Sequence, residues 1–136
     1  MGDRGVRSFE DLEAWRVARQ VVNAVYALSR EPGLARDFGL CGQVQRAAVS
    51  MMSNVAEGFE RLHLQEKLQF YNIARGSSAE VRSLLYVVED NYPSLAARSS
   101  VMRQEVIRTG KLLTGLIQST QQRRQSQKTP YANPNS

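Results

Sequence analysis

The residues best placed to do chemistry lie between Gln43 and Gly58. At about 3.6 residues per turn, Gln43, Arg46, Ser50, Asn54, Glu57 and Arg61 fall on one side of a helix. Leu40, Val44, Ala48, Met51, Val55 and Phe59 fall on another. A merely solvated face is usually rich in Lys and Glu. This row is made of short hydrogen-bonding groups flanked by an arginine and a glutamate, which suits buried or interfacial pairing. With Glu80 farther along, the residues Gln43, Arg46, Ser50, Asn54 and Glu57 read either as a polar network joining helices or subunits, or as the lining of a ligand or phosphate pocket. The network is the preferred reading, because satisfied hydrogen bonds at low dielectric specify one register. A buried arginine needs a carboxylate, so Arg46 is expected to pair with Glu57 or Glu80.

The remaining inventory points away from catalysis. Cys41 and His63 are each the single residue of their type. No Cys or His cluster with metal spacing arises, and no Ser-His-Asp or Cys-His pairing is favoured. Gly39, Gly42 and Gly58 lack the spacing and the following Lys-Ser or Lys-Thr of a phosphate loop. Glu89 and Asp90 are adjacent at a helix end and do not face each other across a cleft. Cys41 reads as a small buried hydrophobe and His63 as a solvated linker residue. No catalytic residue, metal or cofactor is expected, and the chain reads as a non-enzyme.

Charge is the second signal. The net charge is +5, but residues 1–92 hold 11 Lys or Arg against 12 Asp or Glu, net −1, and residues 93–136 hold seven against one, net +6. The excess lies on the last helix and beyond it. Arg103, Arg108, Lys111, Arg123 and Arg124 are therefore the candidate nucleic-acid contacts. Repeated in an oligomer, they would convert weak phosphate contacts into avidity. Tyr131 is the one aromatic residue of the tail, so base-stacking recognition of a specific sequence is unsupported. The bland alternative is a solvated helix face followed by a soluble tail. A further alternative is a protein-interaction scaffold that docks a partner protein without touching nucleic acid.

These residues must be carried by helices. The chain has 136 residues and is 42% hydrophobic, enough for one domain. No apolar run approaches the roughly 20 residues that span a bilayer. Val6 stands where a myristoylation signal carries Ser or Thr, so neither membrane nor lipid anchor is expected and the chain reads as cytosolic.

Ser8, with Asp11 three residues on, resembles a capping box and opens a first helix that runs to about Ser29, before Glu31-Pro32-Gly33. A second helix spans about Phe38 or Gly39 to Gly58, a third about Leu64 to Asn91, and a fourth about Leu95 to Gln121. Leu64, Leu68, Tyr71, Ser78, Val81, Leu85 and Val88 form the inner stripe of the third. Met102, Val106, Leu113, Leu116 and Ile117 form that of the fourth. Gly76, amid Ala74-Arg75-Gly76-Ser77-Ser78-Ala79, costs about 1 kcal/mol of helix propensity relative to Ala. It suggests either close approach of a neighbouring backbone or a tolerated kink.

The fold class expected is all-α, an antiparallel up-and-down four-helix bundle over 9–120, with a flexible N-terminus at 1–8 and a disordered polar and basic tail at 121–136. The apolar arc of the first helix is about 200° wide, where about 100° suffices for a surface helix. Trp15, Val22 and Tyr26 on its extra side, with Ile107 outside the inner stripe of the fourth helix, are the candidate interface of a homo-oligomer, the alternative being a central helix in an asymmetric monomer.

Three motifs carry a family resemblance. They are Phe9-x-x-Leu12-x-x-Trp15-x-x-Ala18 followed by Tyr26, Gly39-Leu40-x-x-Gln43-x-x-Arg46-Ala47-x-x-Ser50-x-x-Ser53-Asn54-x-Ala56-Glu57-Gly58, and Ala74-x-Gly76-Ser77-x-x-Glu80. Over about residues 9–120 the chain resembles the bacterial four-helix-bundle proteins that include products of intervening sequences in large-subunit ribosomal RNA genes. The same family includes the accessory variability determinant of diversity-generating retroelements. Pro32 to Phe38 and the His63 start of the third helix match weakly. The resemblance implies a ring-like homo-oligomer, a pentamer, without known catalysis. It also implies, for the retroelement members, binding of a reverse transcriptase and of nucleic acid through basic surfaces.

Overall fold

The computed structural model describes residues 5–128, and every regular element among them is helical. A 3-10 turn, Phe9–Asp11, leads into α1 (Glu13–Ser29). Then follow α2 (Pro32–Ala35), α3 (Phe38–Glu60), α4 (Leu64–Asn91), a second 3-10 turn at Pro93–Leu95, and α5 (Ala96–Lys128). The third expected helix is found at its expected bounds, and the second runs two residues past Gly58.

α3 packs on α4, α4 on α5, and α1 on both α3 and α5. Each long helix thus has two neighbours, and α1 makes no close backbone approach to α4, nor α3 to α5, among the described residues. The sequence periodicity accounts for this. Val44, Ala48, Met51 and Val55 of α3 are buried, as are Leu68, Tyr71, Val81, Leu85 and Val88 of α4. They meet Val17, Val21, Val25 and Leu28 of α1, and Met102, Val106, Leu113 and Ile117 of α5. Each fully buried aliphatic side chain contributes about 1.5–3 kcal/mol relative to exposure.

The elements are joined by specific polar contacts. Asp11 accepts hydrogen bonds from the backbone N–H of Arg7 at 2.9 Å and of Ser8 at 3.2 Å. These donors hold its carboxyl below the usual range. Asp37 caps α3 by accepting from Leu40 N–H at 3.1 Å, and also accepts from the Tyr92 hydroxyl at 2.7 Å. That contact fixes the start of α3 against the α4–α5 connection. Lys67 donates to the Gly58 and Phe59 carbonyls, so a cation satisfies the C-terminal end of α3.

Three expectations change. Of segment 1–8, expected to be flexible, residues 1–4 lie outside the described residues, whereas Arg7 and Ser8 are bonded to Asp11 and Val6 packs beside Leu12 and Leu113. The disordered tail expected from 121 is corrected through residue 128, because α5 continues to Lys128. Gln, Arg and Lys are good helix formers, and extending a nucleated helix adds one bond per residue fixed. Residues 129–136 lie outside the described residues. Gly76 faces open space, with nothing within 4 Å of an added Cβ. At Gly110 of α5 an added Cβ would meet Ser78 Oγ at an ordinary contact distance of 3.6 Å, and the Ser77 hydroxyl meets that of Ser50.

Candidate nucleic-acid interface

The polar row of α3 divides into an inner and an outer part. Ser50 Oγ lies 2.8 Å from Ser77 Oγ on α4. Asn54 Nδ2 donates to the Ser50 carbonyl at 2.8 Å and to Ser50 Oγ at 3.1 Å. This cluster is satisfied within the protein and joins α3 to α4, as a network should. No buried side-chain polar atom among the described residues lacks a partner.

The rest of the row does not join it. Gln43, Arg46 and Glu57 are exposed, as is Glu80. Glu57 sits 3.8 Å from Arg61, one turn along the same helix, and the expected pairing of Arg46 with Glu57 or Glu80 is absent. The physical reason is placement. Arg46 is exposed beside Tyr26 and Val49 in a recess between α1 and α3, where water reaches it and a guanidinium needs no carboxylate.

The candidate basic residues of α5 point in different directions. Arg103 forms a fork with Glu89 of α4, Nε to Oε2 at 2.6 Å and Nη2 to Oε1 at 3.0 Å. Its guanidinium also stacks 4.1 Å from the Tyr86 ring centre and donates to the Tyr86 hydroxyl at 2.9 Å. Hydrogen bonding from Arg103 holds the Glu89 carboxyl below its usual range, and the same pair raises the guanidinium's own affinity for its proton. Arg108 is shared between Glu13 of α1 at 3.0 Å and Glu105 at 3.7 Å. Two carboxylates around one guanidinium make that patch net negative. Arg123 lines a cavity of about 230 Å³ with Lys67 and Tyr71, and Arg124 is half-buried.

Lys111 alone of the five opens into a surface groove of about 460 Å³ between α4 and α5. Arg75 and Arg82 of α4 line the same groove. All three are exposed, and none has an ion pair or side-chain hydrogen bond among the described residues. Buried Ser78 and Val106 form the floor, with Ala79, Ile107, Gly110 and Thr114 around it. No carboxylate lines the groove. Sequence reasoning missed Arg75 and Arg82. The available signal was their seven-residue spacing, which places them on one helix face on either side of Ser78 and Ala79.

The candidate oligomer residues are largely engaged within the chain. Phe9 packs on Trp15 with ring centres 5.1 Å apart in a T-shaped arrangement. Val22 packs against the main core, and Ile107 lines the α4–α5 groove. Tyr26 remains 41% exposed, beside Val49 and Arg46 in a recess of about 390 Å³ between α1 and α3. Cys41 is buried and donates through Sγ to the Leu34 carbonyl at 3.3 Å, whereas His63 is exposed and occupies the N-cap position of α4 without a side-chain capping bond. No helix among the described residues is long and apolar enough to cross a membrane.

Fold and site together describe a protein that is helical throughout its described residues, with an open cationic groove between α4 and α5. The chain belongs to the 23S rRNA-intervening sequence protein family, whose model matches residues 10–115. No curated protein matches it. The resemblance carried by the Arg46–Gly58 motif is thereby borne out at the level of the family. Within that motif Ser50 makes the hydrogen bond from α3 to Ser77 of α4, Asn54 holds the Ser50 hydroxyl, and Gly58 lies against the Tyr71 ring.

Proposed function

We propose that the chain is a non-enzymatic, homo-oligomeric binding protein whose four long helices form an up-and-down bundle. It contacts nucleic acid nonspecifically, in the cytosol, through its α4–α5 face. The observation that carries this reading is the set Arg75, Arg82 and Lys111, which lines one groove with no carboxylate among them. Lys111 survives from the residues expected on sequence grounds, while Arg103 and Arg108 serve to hold helices together. In a ring of identical subunits, the pentamer that the family resemblance implies, the three cations recur around the assembly and act together.

The test is fluorescence anisotropy of the full chain with labelled RNA and duplex DNA across a salt series, with the mass in solution read by light scattering. Three phosphate contacts give a slope of log affinity against log salt between about −2 and −3. Binding that falls this steeply supports the reading, and an oligomer that binds neither polymer at low salt defeats it. The second reading, a scaffold that docks a partner protein, is favoured by the exposed Tyr26 and Val49 in the α1–α3 recess. Binding there would respond little to salt.

A further inference from the structure

The α4–α5 groove has a length, a depth and a donor set, and together these choose among polyanions. Arg75 and Arg82 are seven residues apart, about 10 Å along the axis of α4 at about 1.5 Å per residue, and Lys111 faces them from α5. A stacked strand rises about 3.4 Å per nucleotide, so the two arginines straddle about three nucleotides. A compact anion cannot reach both ends. Two of the three cations are arginines, whose forked donors match phosphate oxygens in pairs.

The remaining donors are already used. Ser78 Oγ donates to the Arg75 carbonyl at 2.8 Å and Thr114 Oγ1 to the Gly110 carbonyl at 3.0 Å. No aromatic ring lines the groove, so nothing there stacks on a base. The groove lies between two packed helices whose axes sit about 8–10 Å apart in such packings. A helix fits into the roughly 12 Å major groove of a duplex, but a duplex does not fit between two touching helices. It would meet only the rims, whereas one flexible strand can lie along the floor.

We propose that a single strand of nucleic acid lies in this groove, phosphates inward on Arg75, Arg82 and Lys111 and bases outward, with no sequence preference. The proposal rests on the nucleic-acid reading above and adds to it the strand state and the residues. The experiment titrates the full chain against a labelled oligothymidylate of about twelve nucleotides and a duplex of the same length, at about 0.1 M salt. Wild type, Arg82→Gln and Ala79→Glu are compared, circular dichroism confirming the fold of each exposed-site variant.

The expected result is at least about tenfold preference for the single strand, a salt slope about 0.7 smaller in Arg82→Gln, and loss of most binding in Ala79→Glu, whose carboxylate would sit between the two arginines. Equal affinity for both strand states overturns the single-strand inference and leaves the basic-face reading standing. Binding unchanged in both variants overturns the groove while leaving nucleic-acid binding intact. No binding by wild type at low salt overturns both.

Discussion

Replacing Gly58 by alanine should destabilise the protein, although the same change in a helix is ordinarily favourable. A helical glycine costs up to about 1 kcal/mol relative to Ala, so Gly→Ala at an open site gains most of that. At Gly58 an added Cβ would lie 2.6 Å from Tyr71 Cε1, 2.7 Å from Tyr71 Cδ1 and 3.1 Å from Phe70 Cβ. Carbon atoms prefer about 3.5–4.0 Å, so the methyl overlaps the ring by about 1 Å. That ring is 1% exposed and packed with Leu68 and Ile117, so it cannot swing aside, and overpacking of this kind costs about 1–3 kcal/mol. The expected net loss is about 1–2 kcal/mol. Gly76→Ala is the matched control, because nothing lies within 4 Å of its Cβ, and it should gain about 0.5–1 kcal/mol. For a chain of this length, thermal unfolding by circular dichroism should fall by roughly 3–10 °C in Gly58→Ala and rise by about 2–4 °C in Gly76→Ala. Equal or greater stability of Gly58→Ala would refute the placement of Tyr71 over that glycine.

Glu89→Gln should lower the thermal midpoint, because it breaks the fork with Arg103, and should tighten polyanion binding by releasing that guanidinium. Unfolding and anisotropy on one preparation check both signs. Stability should decline as pH falls below about 4, since Asp37, held below its ordinary value of 3.8 by the Tyr92 hydroxyl and Leu40 N–H, stabilises the fold only while ionised. It should also decline as pH rises past 10.0, because Tyr92 is held above that value by Asp37 and stabilises the fold only while protonated. The thermal midpoint as a function of pH, compared with Asp37→Asn, reads both limbs. Ser50→Ala and Ser77→Ala should each cost about 1–3 kcal/mol by stranding the other hydroxyl, and the double variant should cost less than their sum. Additive losses in denaturant titrations would argue that the 2.8 Å contact contributes nothing.

The inner stripes were legible because burial follows helical period. The Leu40 to Phe59 stripe and the bounds of α4 could be read directly from Leu64, Tyr92-Pro93 and the spacing between them. Three features were not legible, for separate physical reasons. α2 spans Pro32–Ala35, too short to display a period. Residues 121–128 carry almost no apolar side chain, and a rule that ties order to apolar content overlooks helix propensity. The site itself depends on which cations face which carboxylates. Arg103 meets Glu89 across 14 positions and Arg108 meets Glu13 across 95, distances over which one sequence gives no pairing signal. Summing charge over residues 1–92 concealed Arg75 and Arg82, because a segment can be net acidic and still present two unpaired cations on one face. The short polar groups of α3 drew attention to Ser50 and Asn54, which hydrogen-bond to each other and, through Ser50, to Ser77, but they did not indicate that Arg46 lies exposed beside Tyr26 in the α1–α3 recess.

The most direct test of the account compares Lys111→Gln with Arg108→Gln in binding to a labelled single strand over a salt series. The two residues lie three positions apart on α5 and each substitution removes one positive charge, so a reading by charge alone treats them alike. Because Lys111 opens into the groove while Arg108 is held by Glu13 and Glu105, Lys111→Gln should weaken binding by about three- to tenfold and reduce the salt slope by about 0.7. Arg108→Gln should change affinity by less than about twofold at moderate salt. Equal losses in the two variants, or a larger loss in Arg108→Gln, would contradict it.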